Sequence, residues 1–429
     1  MNNYTINVYK LKRKILNFGG KIAKGISKPA AKFLKETIYG LLTSNSVHLS
    51  DIGRALDEEI SLKKTIDRLS RNLKNFTDLD ETNHNYLNNV KKEIDEDTVF
   101  SIDMSEITKK SNNTKFESIC HLRDGSTGEI RDGYYICEAA AVKKGNKMPL
   151  SVYSNLYSTE EKGFSSQNTE ILKCLDNLTM NFGNQGIRAL DRGFDNNRFY
   201  NYFLDNNQDF VVRCKTNRNV IYAGKSQNIL KVAKKYKGKY RLDFHGKNGF
   251  QKLKISYIPV QLPSNRDKNL TLVVVYGLGK NPMMILTNMT SENKKIAVTI
   301  TKVYLMRWQI EEYFRFKKQQ FGFEDIRVRK FSSIKAMNAL LSYAIGFIGL
   351  VSKEKETTII GLEIIEKSKR IYSEKAKFLY YQIADGISNI LDDAKVGIYY
   401  FLRKSKKLTK HRPTLFEINE YKGLWGKAI

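Results

Sequence analysis

One segment, Tyr304–Lys318 (YLMRWQIEEYFRFKK), constrains the possible fold and function of this chain more than any other. Without proline or glycine, it has the composition of a single helix. Four of its polar residues are spaced by three, four and seven positions: Tyr304, Arg307, Glu311 and Lys318. At about 100° per residue, they share a stripe roughly 60° wide on one helical face. A carboxylate beside cations can hold a metal ion and phosphate oxygens, so the segment predicts chemistry on a nucleic-acid backbone.

The carboxylate on this face is Glu311 and not its neighbour Glu312. On a continuous helix Glu311 lies about 15° from the mean direction of the other three residues, whereas Glu312 lies more than roughly 100° away. Arg315 falls near the same face, which makes it a further candidate for DNA contact. Trp308 lies at the border of the face and is either a core residue or a platform on which a base stacks.

The periodicity changes from helical to strand-like at residue 98. From there the pattern predicts strands and helices in the order β-β-β-α-β-α-β, at 98–102, 134–142, 150–157, 168–182, 186–190, 197–204 and 210–213. This is the element order of a ribonuclease-H-like core, and the fold class is α/β. Asp103 follows the first of these strands and Asp191 follows the fourth.

Asp103, Asp191 and Glu311 are the candidate catalytic and metal-binding acids. A strand-end aspartate alone is more often a turn cap, but three acids in this topological order are a much stronger signal. Hard cations such as Mg²⁺ require carboxylates that converge from separate elements. Two such ions about 4 Å apart can clamp the attacking and leaving oxygens of a phosphodiester.

The chain is strongly basic, with a net charge of +28 from 73 Lys+Arg against 45 Asp+Glu. This charge indicates nucleic acid as a partner, or else a lysine-rich compositional bias. Residues 1–75 are predicted to hold a basic arm and a helix-turn-helix-like DNA-binding region. The arm either lies along phosphates or is a solvated tail. The second helix, opened by Ser61, directs four cations outward, towards DNA or simply towards solvent: Lys63, Lys64, Arg68 and Arg71.

The remaining segments complete the predicted organisation. Residues 76–97 are polar and predict a linker, and 216–290 predict an antiparallel β insertion before the third acid. The catalytic core then comprises 98–215 and 291–353, and 354–429 is a C-terminal helical region expected to form the dimer interface. The apolar run Ala336–Val351 includes Asn338, Ser342 and two glycines, which predicts a buried helix and no membrane partner. Four widely spaced cysteines predict reduced thiols in the cytoplasm.

Tyr304, Arg307, Glu311 and Lys318 form the motif Y-x-x-R-x-x-x-E-x-x-x-x-x-x-K. This motif resembles the Y-R-E-K signature of insertion-sequence family four, a family of bacterial DDE transposases. The resemblance extends to DRGFD at Asp191, where the family often has Tyr in place of Phe194, and to the strand-end Asp103. It also covers the inserted strands and the N-terminal helices, and so most of the chain. Glu106 departs from the pattern, because relatives often have Asp there.

The resemblance implies cut-and-paste transposition by a homodimer that binds double-stranded DNA, both transposon ends and target. Asp103, Asp191 and Glu311 would bind two Mg²⁺ ions, for which Mn²⁺ could substitute. One ion would activate water to nick the end, and the released 3′ hydroxyl would then attack the opposite strand or the target. The family's tyrosine, arginine and lysine would hold phosphates beside the cleaved end. The predicted location is the bacterial cytoplasm, in association with the nucleoid.

Two other functions remain open from the sequence. One is a catalytically silent DNA-binding repressor derived from a transposase, and the other is a ribonuclease-H-like nuclease that cuts DNA without joining ends. The complete set of acids argues against the repressor. The complete motif and the inserted strands argue against the nuclease.

Overall fold

The N-terminal part of the chain is helical in the computed structural model, which describes residues 3–109, 116–125, 127–143, 149–246, 249–290, 294–354, 359–368, 379–393 and 397–398. The first five helices are α1 (Asn3–Ile22), α2 (Lys28–Ser44), α3 (Leu49–Leu56), α4 (Leu62–Lys74) and α5 (Leu79–Val90). Helix α1 buries Leu11, Ile15 and Ile22, whose spacing of four and seven positions defines one apolar face. The basic arm is therefore a packed helix, and the solvated-tail alternative is wrong for it.

Residues 76–97 differ from the predicted linker, because they contain α5 and a short 3-10 turn at Lys91–Glu93. Tyr86 is buried, and its hydroxyl donates to the Ser151 carbonyl oxygen at 2.8 Å. Its ring also packs on Tyr343 with centroids 5.0 Å apart. The segment's polar composition obscured one short apolar face, which packs against the rest of the protein.

The predicted strand and helix order is present, with one additional short strand, β2. The elements are β1 (Val99–Thr108), β2 (Cys120–Arg123), β3 (Ile130–Val142), β4 (Leu150–Tyr157), α6 (Gln167–Phe182), β5 (Ile187–Leu190), α7 (Asn197–Asp205) and β6 (Phe210–Arg213). Strand β3 pairs antiparallel with β1, β2 and β4, whereas β5 is parallel to both β1 and β6. The result is a mixed α/β architecture whose parallel centre consists of β1, β5 and β6.

The β insertion is present and extends the same sheet. Its elements are β7 (Asn219–Tyr222), β8 (Lys225–Asn228), α8 (Ile229–Lys234), β9 (Tyr240–Gly246), β10 (Gly249–Leu262), β11 (Asn265–Tyr276) and β12 (Met283–Thr287). Because β12 pairs with β6, one twelve-stranded sheet runs β2-β3-β1-β5-β6-β12-β11-β10-β7-β8, with β4 on β3 and β9 on β10. Strand β8 was not predicted, because its KSQN sequence has no alternation of apolar residues.

Within the described residues, five helices follow the sheet: α9 (Lys294–Met306), α10 (Gln309–Gln319), α11 (Phe331–Glu354), α12 (Ile359–Glu366) and α13 (Tyr380–Asp393). Helix α11 confirms the predicted buried apolar helix. Residues Phe331–Ser352 are long and apolar enough to cross a membrane, yet the apolar window is 83% buried within the protein. Helix α11 packs against α2, α4 and β4. Residues 399–429 of the predicted C-terminal region lie outside the described residues.

The segment Tyr304–Lys318 is not the single helix that was predicted. Helix α9 ends at Met306, Arg307 and Trp308 form a turn, and α10 begins at Gln309. No proline or glycine causes this break, so tertiary packing selects it. Both helices contact β1, but α9 otherwise lies against β5, β6 and the insertion strands, whereas α10 lies against β3. Because successive strands of a sheet twist by roughly 20–25°, two helices can follow this surface better than one straight helix.

Candidate active site

Three polar residues form a row at one edge of the parallel strands. Strands β1, β5 and β6 are in register, and the residues that follow their paired positions are Asp103, Asp191 and Arg213. The prediction that Asp103 follows the first strand is wrong, because β1 continues to Thr108 through its antiparallel pairing with β3. Ligands commonly bind outside the carboxyl ends of parallel strands. Arg213 was not predicted as a site residue, although it ends the strand next to the one that Asp191 follows.

Arg307 joins two of the predicted acids. Its Nη1 donates to Asp103 Oδ2 at 2.8 Å, and its Nη2 donates to Glu311 Oε1 at 3.2 Å. The arginine is 4% exposed, and the charge of Asp191 acts on both Asp103 and Arg307. The structure thus brings the three acids predicted from the sequence around one buried guanidinium group.

Burial raises the pKa of Asp103 to about 6. The positive charge of Arg307 opposes this shift, and the negative charges of Asp191 and Glu311 add to it. Burial also disfavours the charged form of Arg307, but Asp103 and the neighbouring groups outweigh that effect and raise the pKa of the arginine. Arg307 therefore stays charged, and Asp103 changes its protonation state well above the usual range of an aspartate.

The two aspartates of the DRGFD segment have different surroundings. Asp191 follows β5 and accepts a hydrogen bond from the Gly193 amide at 2.5 Å, which caps a 3-10 turn. Asp195 is buried and accepts hydrogen bonds from the Tyr200 hydroxyl and the Lys215 amide, both at 2.7 Å. Asp195 therefore fixes the loop, and this leaves Asp191 at the strand edge beside Asp103.

Glu311 and Glu312 have different partners, as the helical-face argument predicted. Glu311 contacts Arg307, whereas both Glu312 oxygens accept from Arg315 Nη1, at 2.7 and 2.8 Å. Arg307 and Glu311 still pair across one turn despite the break between the helices, so Glu311 is the glutamate beside the cluster. Arg315 is 47% exposed and pairs with Glu312, and its contact with DNA stays a prediction. Trp308 is half-buried beside Phe244, with ring centroids 6.1 Å apart, in agreement with the core alternative.

The predicted phosphate-binding residues do not form one stripe. Tyr304 is fully buried, and its ring centroid lies 5.7 Å from the guanidinium carbon of Arg307. Lys318 lies beyond the break, where its Nζ is 3.5 Å from Glu324 Oε1. In this arrangement Tyr304 supports Arg307 from beneath, and Lys318 pairs with a different acid from the three at the strand edge.

The predicted helix-turn-helix corresponds to α3 and α4, joined through Asp57 in the left-handed conformation (φ 47°). Lys63, Lys64 and Arg71 on α4 are exposed, as predicted. Arg68 is not directed outward: its Nη1 is 2.7 Å from Glu36 Oε2, and its Nη2 is 2.8 Å from Glu58 Oε1. Because Glu36 is buried, Arg68 neutralises an internal carboxylate and connects α4 to α2.

The donor atoms at the strand edge suit a hard divalent cation, because Asp103, Asp191 and Glu311 offer only carboxylate oxygens. No group of three or more His, Cys, Asp or Glu residues is arranged to hold a metal ion within the described parts of the chain. Arg307 hydrogen-bonds the two carboxylates that such an ion would need. The three carboxylates are chemically suited to a divalent metal ion. For such an ion to bind, the guanidinium group of Arg307 would have to move away from Asp103 and Glu311.

The fold and this site define a mixed α/β protein with an acidic cluster at the point where the parallel pairing of its central strands ends. Residues 163–346, which include Asp191 and Glu311 but not Asp103, match the family described as "Transposase DDE domain". This match supports a transposase. No curated protein sequence matches the chain. A structure of the piggyBac transposase synaptic complex with hairpin DNA is similar at TM-score 0.47 and 10% identity, covering 97% of this chain and 82% of that one. Similarity at this level gives no information about individual residues.

Proposed function

We propose that this protein is a DNA transposase that binds the terminal inverted repeats of an insertion sequence and performs Mg²⁺-dependent hydrolysis and strand transfer. The proposal rests on one observation: Asp103 and Glu311 both accept hydrogen bonds from Arg307. Arg307 and Asp103 are 204 positions apart in the chain, and Asp191 lies beside them. Three carboxylates from separate elements at one strand edge are what phosphodiester chemistry with two metal ions requires.

The strand order supports a ribonuclease-H-like core. Strands β4, β3 and β1 are neighbours in antiparallel pairing, and β5 and β6 follow on the other side of β1 in parallel pairing. In such a core the first and fourth predicted strands carry the two aspartates. The Y-R-E-K motif supports the narrower assignment to insertion-sequence family four.

In this proposal Asp103, Asp191 and Glu311 hold two Mg²⁺ ions, for which Mn²⁺ substitutes. The bound ions would lower the pKa of a water molecule and neutralise charge at the scissile phosphate. Arg307, a forked donor that matches phosphate geometry, binds the phosphate next to the cleaved bond. Tyr304 holds the guanidinium group from beneath. The DNA partner is double-stranded, the active form is a homodimer with two ends bound, and the location is the bacterial cytoplasm at the nucleoid.

The test is a nicking and joining assay with the full chain, Mg²⁺ and a duplex that carries the repeats flanking its gene. We expect nicks at the repeat ends that release 3′ hydroxyl groups, joining to a second duplex, and loss of both activities with EDTA. Binding of the repeats without nicking would identify a repressor instead. Cleavage that ignores the repeats and never joins ends would identify a nuclease.

The raised pKa of Asp103 predicts a pH dependence of metal binding. A metal ligand must be deprotonated, so Mn²⁺ affinity should fall by about tenfold per pH unit below pH 6 and level off above it. Electron paramagnetic resonance titrations of the DNA-free protein between pH 5 and 8 would measure this, with Glu312→Gln as the control that keeps the same profile. An affinity that stays constant down to pH 5 would contradict the role of Asp103 as a ligand.

The exposed lysines of α4 predict a salt-dependent contribution to end binding. Replacing both Lys63 and Lys64 by Ala should reduce the slope of log affinity against log salt by about 2, because each phosphate contact contributes about 0.9. Mobility-shift titrations at several salt concentrations give the slope. Arg68→Ala should instead lower thermal stability, since Glu36 then loses its closest partner. An unchanged slope in the lysine variant would place the DNA contacts elsewhere.

A further inference from the structure

A buried ion pair lies at the end of α10 opposite to Glu311. Lys317 Nζ donates to Glu138 Oε1 at 2.5 Å, and to the hydroxyl oxygens of Ser154 and Ser342 at 3.1 Å each. Both members of the pair have 0% exposure. The three ammonium protons thus find acceptors on β3, β4 and α11, so that a single side chain connects α10 to three elements.

Two of these acceptors, Glu138 and Ser154, lie in the same cross-strand row of the sheet as Asp103. Asp103 is directly opposite Glu138 across β1 and β3, and Glu138 is directly opposite Ser154 across β3 and β4. Directly opposed residues share one face of the sheet, and strands lie about 4.8 Å apart, so the row spans about 10 Å. Lys317 follows Glu311 by six positions, or about 9 Å along the helix axis. Helix α10 therefore runs along the row. Near one end Glu311 is linked to Asp103 through Arg307, and near the other end Lys317 is bonded to Glu138.

Stability alone does not account for this pair. Burial raises the pKa of Glu138 and lowers that of Lys317, because it disfavours both charges. In addition, Glu138 Oε2 has no hydrogen-bond partner among the described residues. Apolar residues of similar volume often replace such pairs at no cost in stability. Apolar packing is non-directional, however, whereas directed hydrogen bonds to one ammonium group fix the place of the helix along the sheet.

We propose that Lys317 and Glu138 are positioning residues, which set the place of α10 on the sheet and thereby the distance of Glu311 from Asp103. This inference rests on the proposed function, because its effect is exerted on metal binding and nicking. Neither residue belongs to the Y-R-E-K motif, whose lysine is Lys318. A misplacement of about 1 Å caused by a change far from the chemistry can reduce a rate by roughly 100-fold.

The test is the double variant Lys317→Met/Glu138→Leu, which removes both charges and approximately conserves volume. We expect a thermal unfolding midpoint close to that of the wild type and an affinity for a transposon-end duplex within about twofold of it. The single-turnover nicking rate at saturating DNA should fall about 10- to 100-fold. Mn²⁺ affinity of the DNA-free full chain, measured by electron paramagnetic resonance, should fall as well.

The control variant removes a second Lys–Glu pair, which has the same distance between nitrogen and oxygen but does not involve α10. Lys335 Nζ on α11 lies 2.5 Å from Glu161 Oε1. The double variant Lys335→Met/Glu161→Leu should keep the wild-type nicking rate and Mn²⁺ affinity. An equal loss in this control would show a general effect of removing charge and would overturn the proposal.

Other outcomes also decide the question. A folded Lys317→Met/Glu138→Leu variant that nicks and binds Mn²⁺ like the wild type would overturn the positioning role. For a variant that does not fold, Ser154→Ala/Ser342→Ala removes two of the three hydrogen bonds and leaves the ion pair. This variant should nick about 3- to 10-fold more slowly with unchanged DNA affinity, and a wild-type rate would overturn the proposal. A wild-type chain that neither binds Mn²⁺ nor nicks would refute the proposed function, and the positioning role with it.

Discussion

Glu311→Gln is expected to reduce Mg²⁺-dependent nicking of a transposon end by at least about 10³-fold, whereas Glu312→Gln should leave the rate within about threefold of the wild type. Loss of a metal-ligand charge removes several kcal/mol of transition-state stabilisation, and each 1.36 kcal/mol is a factor of ten. Glu311 accepts a hydrogen bond from Arg307, which also donates to Asp103. Glu312 pairs with Arg315 away from that cluster.

Single-turnover nicking by the full chain measures this difference, with mobility shifts to verify that each variant still binds the end. Asp103→Asn and Asp191→Asn should behave like Glu311→Gln, with nicking lost and binding largely kept. If Glu312→Gln abolished nicking while Glu311→Gln did not, the assignment of the third acid would be wrong. Loss of end binding in all three acid variants would indicate that these acids maintain the fold instead of the chemistry.

Arg307→Leu is expected to lower the free energy of unfolding by about 2–3 kcal/mol at neutral pH without divalent ions. Breaking a fully buried ion pair costs about 3–5 kcal/mol, and Asp103 and Glu311 keep part of their access to solvent, with side chains 21% and 43% exposed. Millimolar Mg²⁺ should recover part of the loss, because the same carboxylates then gain a cation. Denaturant unfolding with and without Mg²⁺ measures both effects.

Arg315→Leu is the matched control for Arg307→Leu. Arg315 also pairs with a glutamate near the start of α10, but it is 47% exposed. Exposed pairs contribute about 0–1 kcal/mol, so this variant should unfold almost like the wild type and gain nothing specific from Mg²⁺. Equal losses in the two arginine variants would contradict the description of Arg307 as the internal counter-charge of the acidic cluster.

Much of the site was predictable because its signals are local. Asp191 follows a short apolar strand, as predicted, whereas Asp103 lies within β1 at the position after its last pairing with β5. The register of β1 with β5 places the two aspartates side by side. The choice of Glu311 over Glu312 needed only helical spacing over one turn, and that turn survives the break at Arg307. The same spacing failed for Lys318, because eleven positions separate it from Arg307 and the chain changes from α9 to α10 between the two.

Other errors arose where a side chain's partner is distant in sequence. Arg68 has the spacing of an outward cation, yet it neutralises Glu36, which lies 32 positions earlier. Lys317 was unremarkable beside Lys318, yet it pairs with Glu138, which lies 179 positions earlier. A charge pattern on one helix cannot distinguish solvent from a carboxylate supplied by another element.

The sequence by itself determined the order of most strands and helices, the position of Asp191 at a strand end and the basic character of the chain. Periodicity records which face of an element is buried, and that information is local. Only the tertiary structure decided where α9 ends and α10 begins, that the insertion extends the central sheet, and that Arg307 lies between Asp103 and Glu311. These features depend on sheet twist, strand pairing and desolvation, which arise when residues far apart in the chain come together.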